Sequence, residues 1–132
     1  MEIERDPKKR GVGKTVLVVD DNDAIRKMMA AAFLSDGFKT CAEAENGRES
    51  IELAKRVKPD IITLDLAMPV MNGLEAAARL RKLFPKTPII LFSMYADSIL
   101  KAEASTAGVN LVLTKTEPLS KLVAKAHELM GD

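Results

Sequence analysis

Residues 61–73 read Ile-Ile-Thr-Leu-Asp-Leu-Ala-Met-Pro-Val-Met-Asn-Gly. The segment begins with a short apolar run, Ile61–Leu64, that is typical of a strand buried on both faces of a parallel sheet. Asp65 follows at the end of that run, Pro69 shapes the loop, and Asn72 is placed to cap a helix. The segment therefore predicts a buried strand, a loop that starts with a carboxylate, and a helix.

The same unit of strand and helix repeats along the chain. Apolar runs also occur at Thr15–Val19, Ile89–Phe92 and Val109–Leu113, with a weaker, half-polar candidate at Phe38–Ala42. Between them, apolar residues recur at helical spacing, as in Ile25, Met28, Met29, Ala32 and Phe33, and in Leu119, Leu122, Val123, Ala126 and Met130. The alternation predicts an α/β fold, with a doubly wound five-stranded parallel sheet flanked by five helices.

Local signals mark the ends of the helices. Asp23 and Asn72 are placed to cap helices at their starts. Glycine or proline follows each helical stretch, at Gly37, Pro59, Pro85, Gly108 and Gly131. The chain ends at Asp132, just after the last helix, which favours a stand-alone domain, although a fragment of a longer regulator would end in the same way.

Composition and charge are those of one globular domain. The 132 residues are 47% apolar and 30% charged with a net charge of +1, so charge argues neither for nor against nucleic acid. No apolar run is long enough to span a membrane. Residues 1–14 are charged, so we expect a flexible tail there and one domain over residues 15–132. The single cysteine, Cys41, excludes an internal disulfide and fits a reducing, cytoplasmic compartment.

Polar side chains follow several of the predicted strands. Asp20 and Asp21 come after the first run, Asp65 after the third, Ser93 after the fourth, and Lys115 at the end of the fifth. Parallel strands bring their carboxyl ends to one edge, so these groups should converge. A hard divalent cation is the natural neutraliser of clustered carboxylates, and a carboxylate in line with phosphorus can form an acyl phosphate. The set predicts phosphoryl chemistry at that edge.

These residues resemble the response-regulator receiver family of two-component signalling. The resemblance rests on Val16–Asp21 with its paired acids, on Asp65–Gly73, on Ser93 and on Lys115, and it covers about residues 15–130. It implies a flavodoxin-like sheet with the strand order 2-1-3-4-5. It also implies a phosphoryl-accepting signalling switch rather than an enzyme, limited to self-catalysed phosphotransfer and slow autodephosphorylation.

The resemblance also implies a role for each residue of the site. Asp65 matches the phosphoacceptor, and Mg²⁺ would be held by Asp20, Asp21, Asp65 and the backbone carbonyl of Ala67. Ser93 matches the switch hydroxyl and Lys115 the lysine that contacts the phosphoryl group. The donor would be a phosphohistidine on a sensor kinase or a phosphotransfer protein. A downstream protein would bind the face formed by the fourth helix, fifth strand and fifth helix, with no membrane or nucleic acid bound by this domain.

Three positions depart from the family pattern. Val112 stands where an aromatic residue is usual, three before the lysine. Thr116 and Glu117 come between Lys115 and Pro118, where the family has proline directly after the lysine and a cis peptide. Met94 follows the switch hydroxyl, where a small residue is usual. None of these changes removes a phosphotransfer residue.

Two other classes of function fit the sequence less well. Phosphatases with an aspartate nucleophile in a related fold carry Asp-x-Asp at the first strand, whereas Asp65 lies on the third with Ala67 two residues on. A nucleotide binder needs a glycine-rich turn after the first strand, and the segment Gly11–Thr15 precedes that strand. Of the two remaining reactive side chains, we expect Cys41 in the core or at a sheet edge and His127 on the surface.

Overall fold

The computed structural model describes residues 13–131, and this part of the chain alternates between strand and helix. The strands are β1 (Thr15–Val19), β2 (Thr40–Ala44), β3 (Ile61–Leu64), β4 (Ile89–Ser93) and β5 (Leu111–Thr114). The helices are α1 (Asp23–Ser35), α2 (Gly47–Val57), α3 (Gly73–Leu83), α4 (Ser98–Thr106) and α5 (Leu119–Met130).

The strands form one parallel sheet in the order β2-β1-β3-β4-β5, which confirms the predicted fold. Every residue of β3 and β4 is buried, which explains their continuous apolar runs. The strand order reverses between β1 and β3. In open α/β sheets, ligands bind beyond the carboxyl ends of the strands at this kind of switch point.

The sheet separates two apolar cores that different helices cover. Ile51 of α2, Ala77 of α3 and Ala104 of α4 belong to the buried cluster on one face. Phe33 of α1 and Leu122 of α5 belong to the cluster on the other. Three helices therefore cover one face of the sheet and two cover the other, and both sets of helices reach the same rim of the sheet.

Two predicted strand positions were wrong by about two residues. β2 begins at Thr40 rather than Phe38, because the Phe38 ring is buried edge-on against Phe33, with ring centroids 5.0 Å apart, before the ladder starts. β5 begins at Leu111 rather than Val109, because the amide of Val109 donates to the carbonyl of Ala104 at 2.9 Å and so ends α4. In both cases a buried apolar residue lies just before the strand begins.

One of the two predicted helix caps is confirmed. The Asn72 side chain accepts from the Glu75 amide at 2.9 Å, and Glu75 reaches back in a capping box. The predicted cap at Asp23 is wrong: Asn22 caps α1 by accepting from the Ile25 amide at 2.9 Å. Asp23 lies inside the first turn and pairs with the Arg26 guanidinium, so its carboxylate is drawn away from the backbone.

His127 was predicted to lie on the surface, and this prediction is wrong because the residue is only 2% exposed. Its Nε2 contacts the carboxylate of Asp36 just after α1, and its ring centroid lies 5.6 Å from that of Phe38. The residue is on the buried face of α5, one turn beyond Val123. The pair joins the ends of α1 and α5.

Cys41 lies on β2 and is half-buried, which agrees with the expected core or edge position. Burial, with a contribution from Glu43, raises the pKa of its thiol to about 12, so the thiolate is scarce at neutral pH. Among residues 13–131, no helix is long and apolar enough to cross a membrane. The expected flexible tail of residues 1–14 lies almost wholly outside the described residues and stays a prediction.

Candidate functional site

Asp65 lies directly beyond β3, and backbone contacts fix it on both sides. Its amide donates to the carbonyl of Val19 at 2.9 Å, which continues the pairing of β1 and β3. The side chain is nearly enclosed, with the residue 7% exposed. The loop then folds back, and the Gly73 amide donates to the carbonyl of Leu66 at 2.9 Å. A Cβ at Gly73 would lie 2.3 Å from the Asp65 carbonyl oxygen, so only glycine permits this approach.

Asp20 occupies the same position at the end of β1. Its amide donates a hydrogen bond to the carbonyl of Ala44 at 3.1 Å, and its Oδ1 accepts one from the amide of Asn22 at 2.8 Å. Its Oδ2 accepts Lys115 Nζ at 2.8 Å. Asp20 is buried, whereas Asp21 beside it is exposed at the mouth of the site. One carboxylate is therefore held rigidly while its neighbour faces solvent.

Lys115 brings the two buried acids together. Its backbone amide donates to the Ser93 carbonyl at 2.7 Å, which anchors the residue to the end of β4. Its Nζ lies 2.8 Å from Asp20 Oδ2 and 3.1 Å from Asp65 Oδ1. Ser93 is buried, and its Oγ accepts the amide of Tyr95 at 3.3 Å. The predicted acids, lysine and hydroxyl therefore lie at the same edge of the sheet.

The electrostatics of the cluster oppose a full set of negative charges. Burial, then the neighbouring charge of Asp20, raises the pKa of Asp65 to about 6; Lys115 partly offsets this, and Asp21 adds to it. Burial acts to lower the pKa of Lys115, but contacts with Asp20 and Asp65 outweigh it and raise the pKa above its ordinary value. The Lys115 ammonium therefore stays charged, whereas the Asp65 carboxyl takes up a proton when the pH falls slightly below neutral.

The three acids also fit a metal ion. Asp20, Asp21 and Asp65 each offer an oxygen, and these atoms lie within 4.8 Å of one another. Ligands of an octahedral Mg²⁺ at about 2.1 Å stand roughly 3–4 Å apart, so the spacing of these three oxygens is close to what one shared ion requires. Ala67 follows in the loop as an exposed residue two positions after Asp65. Carboxylate and carbonyl oxygens are the donors that a hard cation prefers.

Arg26, which was not among the predicted site residues, supports the site from α1. Its guanidinium is enclosed, with the residue 5% exposed, and its Nη1 donates to the backbone carbonyl of Asp20 at 2.7 Å. Its Nε donates to Glu43 Oε1 at 3.2 Å. Arg26 lies three residues before Met29 on the buried face of α1. An arginine on an otherwise apolar helix face was the sequence signal that could have identified this residue. Through these hydrogen bonds, Arg26 connects β2 with the turn in which Asp20 lies.

The three departures from the family pattern lie around this site. Val112 on β5 is half-buried and packs against the core beneath α4. Met94 is exposed just beyond Ser93. Among residues 13–131 every peptide bond is trans, including Lys115–Thr116.

The family comparison agrees with this geometry. Residues 16–127 match the model of the response regulator receiver domain. The chain belongs to this family. Its relatives include the chemotaxis protein CheY of Thermotoga maritima, 38% identical over 89% of this chain and 98% of that protein. They also include the regulatory protein AtoC of Escherichia coli, 36% identical over 88% of this chain but only 26% of that protein.

Solved structures confirm the receiver fold. CheY4 of Vibrio cholerae superimposes with a TM-score of 0.85 at 28% identity, covering 89% of this chain and 99% of that one. CheY in a CheX-CheY-BeF3-Mg²⁺ complex of Borrelia burgdorferi gives a TM-score of 0.86 at 25% identity, covering 92% and 97%. Receiver domains occur both alone, as in CheY, and within longer regulators such as AtoC. This chain is therefore a regulatory module of two-component signal transduction.

Proposed function

We propose that this receiver domain accepts a phosphoryl group on Asp65 and changes its affinity for a partner when it does so. The observation that carries the proposal is Lys115, whose ammonium contacts both Asp20 and Asp65 at the strand edge. A cation beside a buried carboxylate is suited to binding the oxygens of a group that arrives on that carboxylate. The donor set of the three acids supports Mg²⁺ as the cofactor.

In the proposed reaction, an Asp65 carboxylate oxygen attacks phosphorus, and the bond from phosphorus to the donor's imidazole nitrogen breaks. The new bond is an acyl phosphate, and the electron pair leaves with the imidazole. Lys115 would stabilise the phosphoryl oxygens, and Ser93 would donate its hydroxyl to one of them. Mg²⁺, held by Asp20, Asp21, Asp65 and the Ala67 carbonyl, would supply charge neutralisation while bound.

The phosphohistidine donor needs a docking surface beside the site. A groove of about 300 Å³ adjoins Lys115 and is lined mainly by apolar residues, including Ile25, Met28, Phe92 and Leu119. Met28 is exposed there, on the outward side of α1. We propose that a sensor kinase or phosphotransfer protein packs a helical, apolar surface on this groove, which would place its phosphohistidine near Asp65.

The response surface is proposed for the face formed by α4, β5 and α5. Tyr95, 76% exposed, and Met94 and Ile99 beside it form an apolar patch next to Ser93. The Tyr95 amide bonds to Ser93 Oγ, so a movement of that hydroxyl would move this patch. A downstream protein would bind to this patch. We also propose that the chain works in the cytoplasm, either as a stand-alone receiver like CheY or as part of a longer regulator.

One experiment separates this switch from an enzyme with an aspartate nucleophile. Incubation with para-nitrophenyl phosphate and Mg²⁺ should release about one equivalent of nitrophenol per chain, followed only by the slow release that autodephosphorylation of Asp65 permits, because Ala67 provides no general acid two residues after Asp65. Sustained rapid release over many equivalents would identify a phosphatase and refute the switch. Asp65→Asn serves as the control for background hydrolysis.

A further inference from the structure

A groove between α2 and α3 lies away from the phosphorylation site. It has a volume of about 590 Å³. We call it the α2–α3 groove, and it is lined by the exposed residues Arg48, Glu52, Lys55, Val70, Arg79, Lys82 and Leu83, together with the buried residues Ile51 and Met71. α2 and α3 cover the sheet face opposite α1 and α5, so the groove is separate from the proposed donor surface.

Both helices direct cations toward this groove. Arg48 and Lys55 are two turns apart on one side of α2, and Arg79 and Lys82 are one turn apart on α3. Lys55 pairs with Glu52 at 3.8 Å. Arg48, Arg79 and Lys82 form no ion pair with another residue of the described range 13–131. The groove therefore has an excess of positive charge that ion pairs within the described part of the chain do not neutralise.

The mouth of the groove holds an exposed apolar side chain on a strained turn. Val70 is 74% exposed and has a φ of +69°, a conformation that β-branched residues rarely adopt. The Met71 amide closes the turn by donating to the Pro69 carbonyl at 2.7 Å. The Gly47 amide donates to the Met71 carbonyl at 3.3 Å, which fixes the turn to the start of α2. Glycine would fit this turn without strain, so a valine held here points to a use for its side chain.

We propose that the α2–α3 groove binds a short acidic segment of a partner protein, with a large apolar side chain seated on Val70 and Leu83. Carboxylates that flank the apolar residue would pair with Arg48, Arg79 and Lys82. The exposed Val70 and Leu83 provide apolar contact that a purely ionic ligand would not use. None of the residues that line the groove is aromatic, so it offers no ring on which bases could stack, which disfavours a single-stranded nucleic acid.

The test is an NMR titration of the ¹⁵N-labelled whole chain with a synthetic amphipathic peptide in which glutamates flank leucines. Saturable shifts should appear at the amides of Arg48, Val70, Met71 and Leu83. Two control peptides, with lysine for each glutamate or serine for each leucine, should bind at least about tenfold more weakly. The absence of saturable shifts at these amides would overturn the proposal.

Paired variants separate a specific site from general charge attraction. Arg48→Glu with Lys82→Glu should weaken binding about tenfold or more, whereas Lys39→Glu with Lys101→Glu, an equal charge change at exposed sites elsewhere, should change it less than about twofold. Equal weakening by both pairs would overturn the proposal. Val70→Gly should also weaken binding several-fold, and it relieves the turn, so lost binding could not be ascribed to lost folding.

Two further ligands test the class of partner. Inorganic phosphate and a thymidine oligonucleotide should shift the same amides weakly or not at all at physiological ionic strength. If either bound as tightly as the acidic peptide, the groove would be an anion site, and the peptide proposal would fail. Asp65→Asn should bind the peptide as the wild type does, so this result is independent of the proposed phosphorylation.

Discussion

The α-carbon of Gly73 lies so close to Asp65 that an added Cβ would stand 2.3 Å from the Asp65 carbonyl oxygen. This contact joins the first residue of α3 to the last position of the strand edge, and it explains why glycine ends the segment that begins with Asp65. The loop between them is folded back on the site rather than extended into solvent. The geometry of Asp65 therefore depends on the small size of Gly73.

Replacing Gly73 with alanine should destabilise the fold by several kcal/mol, because the methyl group meets backbone that cannot move without shifting the end of β3. Gly13→Ala is the control: Gly13 has a φ of +81°, but no atom of the described residues lies within 4 Å of an added Cβ, so only backbone strain of about 1 kcal/mol is expected. Urea unfolding of both variants measures the difference. A loss at Gly73 no larger than at Gly13 would contradict the close approach.

The raised pKa of Asp65 predicts a pH dependence of stability in the metal-free protein. The pKa is about 6 in the folded state against 3.8 for an isolated group, so the folded state binds the proton more tightly. The stability that protonated Asp65 contributes is complete below about pH 4 and is lost as the pH rises through about 6.

Asp65→Asn should therefore gain stability over the wild type across that window. In a chelator, the difference should rise from near zero below pH 4 to about 1–3 kcal/mol above pH 6. Denaturant unfolding at a series of pH values measures it, with the exposed Glu103→Gln as control. A difference that does not change with pH would show that Asp65 titrates as an ordinary carboxyl.

Magnesium should stabilise the wild-type fold, because a cation relieves the repulsion among Asp20, Asp21 and Asp65. We expect the melting temperature to rise by a few degrees at millimolar Mg²⁺, beyond the effect of NaCl at the same ionic strength. Asp21→Asn should be more stable than the wild type in chelator and should lose the response to Mg²⁺. A wild-type melting temperature that does not change when Mg²⁺ is added would argue against the metal site.

Ser93, and not Val112, should connect the site to the response surface. Ser93 Oγ bonds to the Tyr95 amide at 3.3 Å, whereas Val112 is a small, β-branched side chain whose χ1 is restricted and which has no ring that could turn behind the hydroxyl. NMR spectra with beryllofluoride and Mg²⁺ should show shifts at residues 94–97 in the wild type and in Val112→Ala. Ser93→Ala should lose these shifts but keep those at Asp20 and Asp21. If Val112→Ala loses them as completely, position 112 still gates the switch.

The sequence predicted the fold and most of the site because both depend on strand ends. Asp20 and Lys115 are 95 residues apart, but each follows a buried strand, and parallel strands bring their carboxyl ends to one edge. Asp65 was placed by the same rule. These positions required only the alternation of strand and helix and no knowledge of how individual side chains pack.

Two of the errors concern side chains whose position depends on a residue that is distant in the sequence. His127 is buried in contact with Asp36, which is 91 residues away in the sequence, and nothing near His127 in the sequence marks that contact. Arg26 was overlooked because its partners are the carbonyl of Asp20 and the side chain of Glu43 on the next strand. The strained turn at Val70 could not be predicted either, because the usual turn residues do not include valine.

The most direct test of the account is to locate the phosphoryl group. After incubation with acetyl phosphate and Mg²⁺, the acyl phosphate is reduced with borohydride and the modified peptide is sequenced by mass spectrometry. We predict one phosphoryl group per chain, labile to hydroxylamine and located on Asp65, with no modification of Asp65→Asn. Modification of Asp65→Asn at the wild-type rate, or a label on another residue of the wild type, would contradict the central claim.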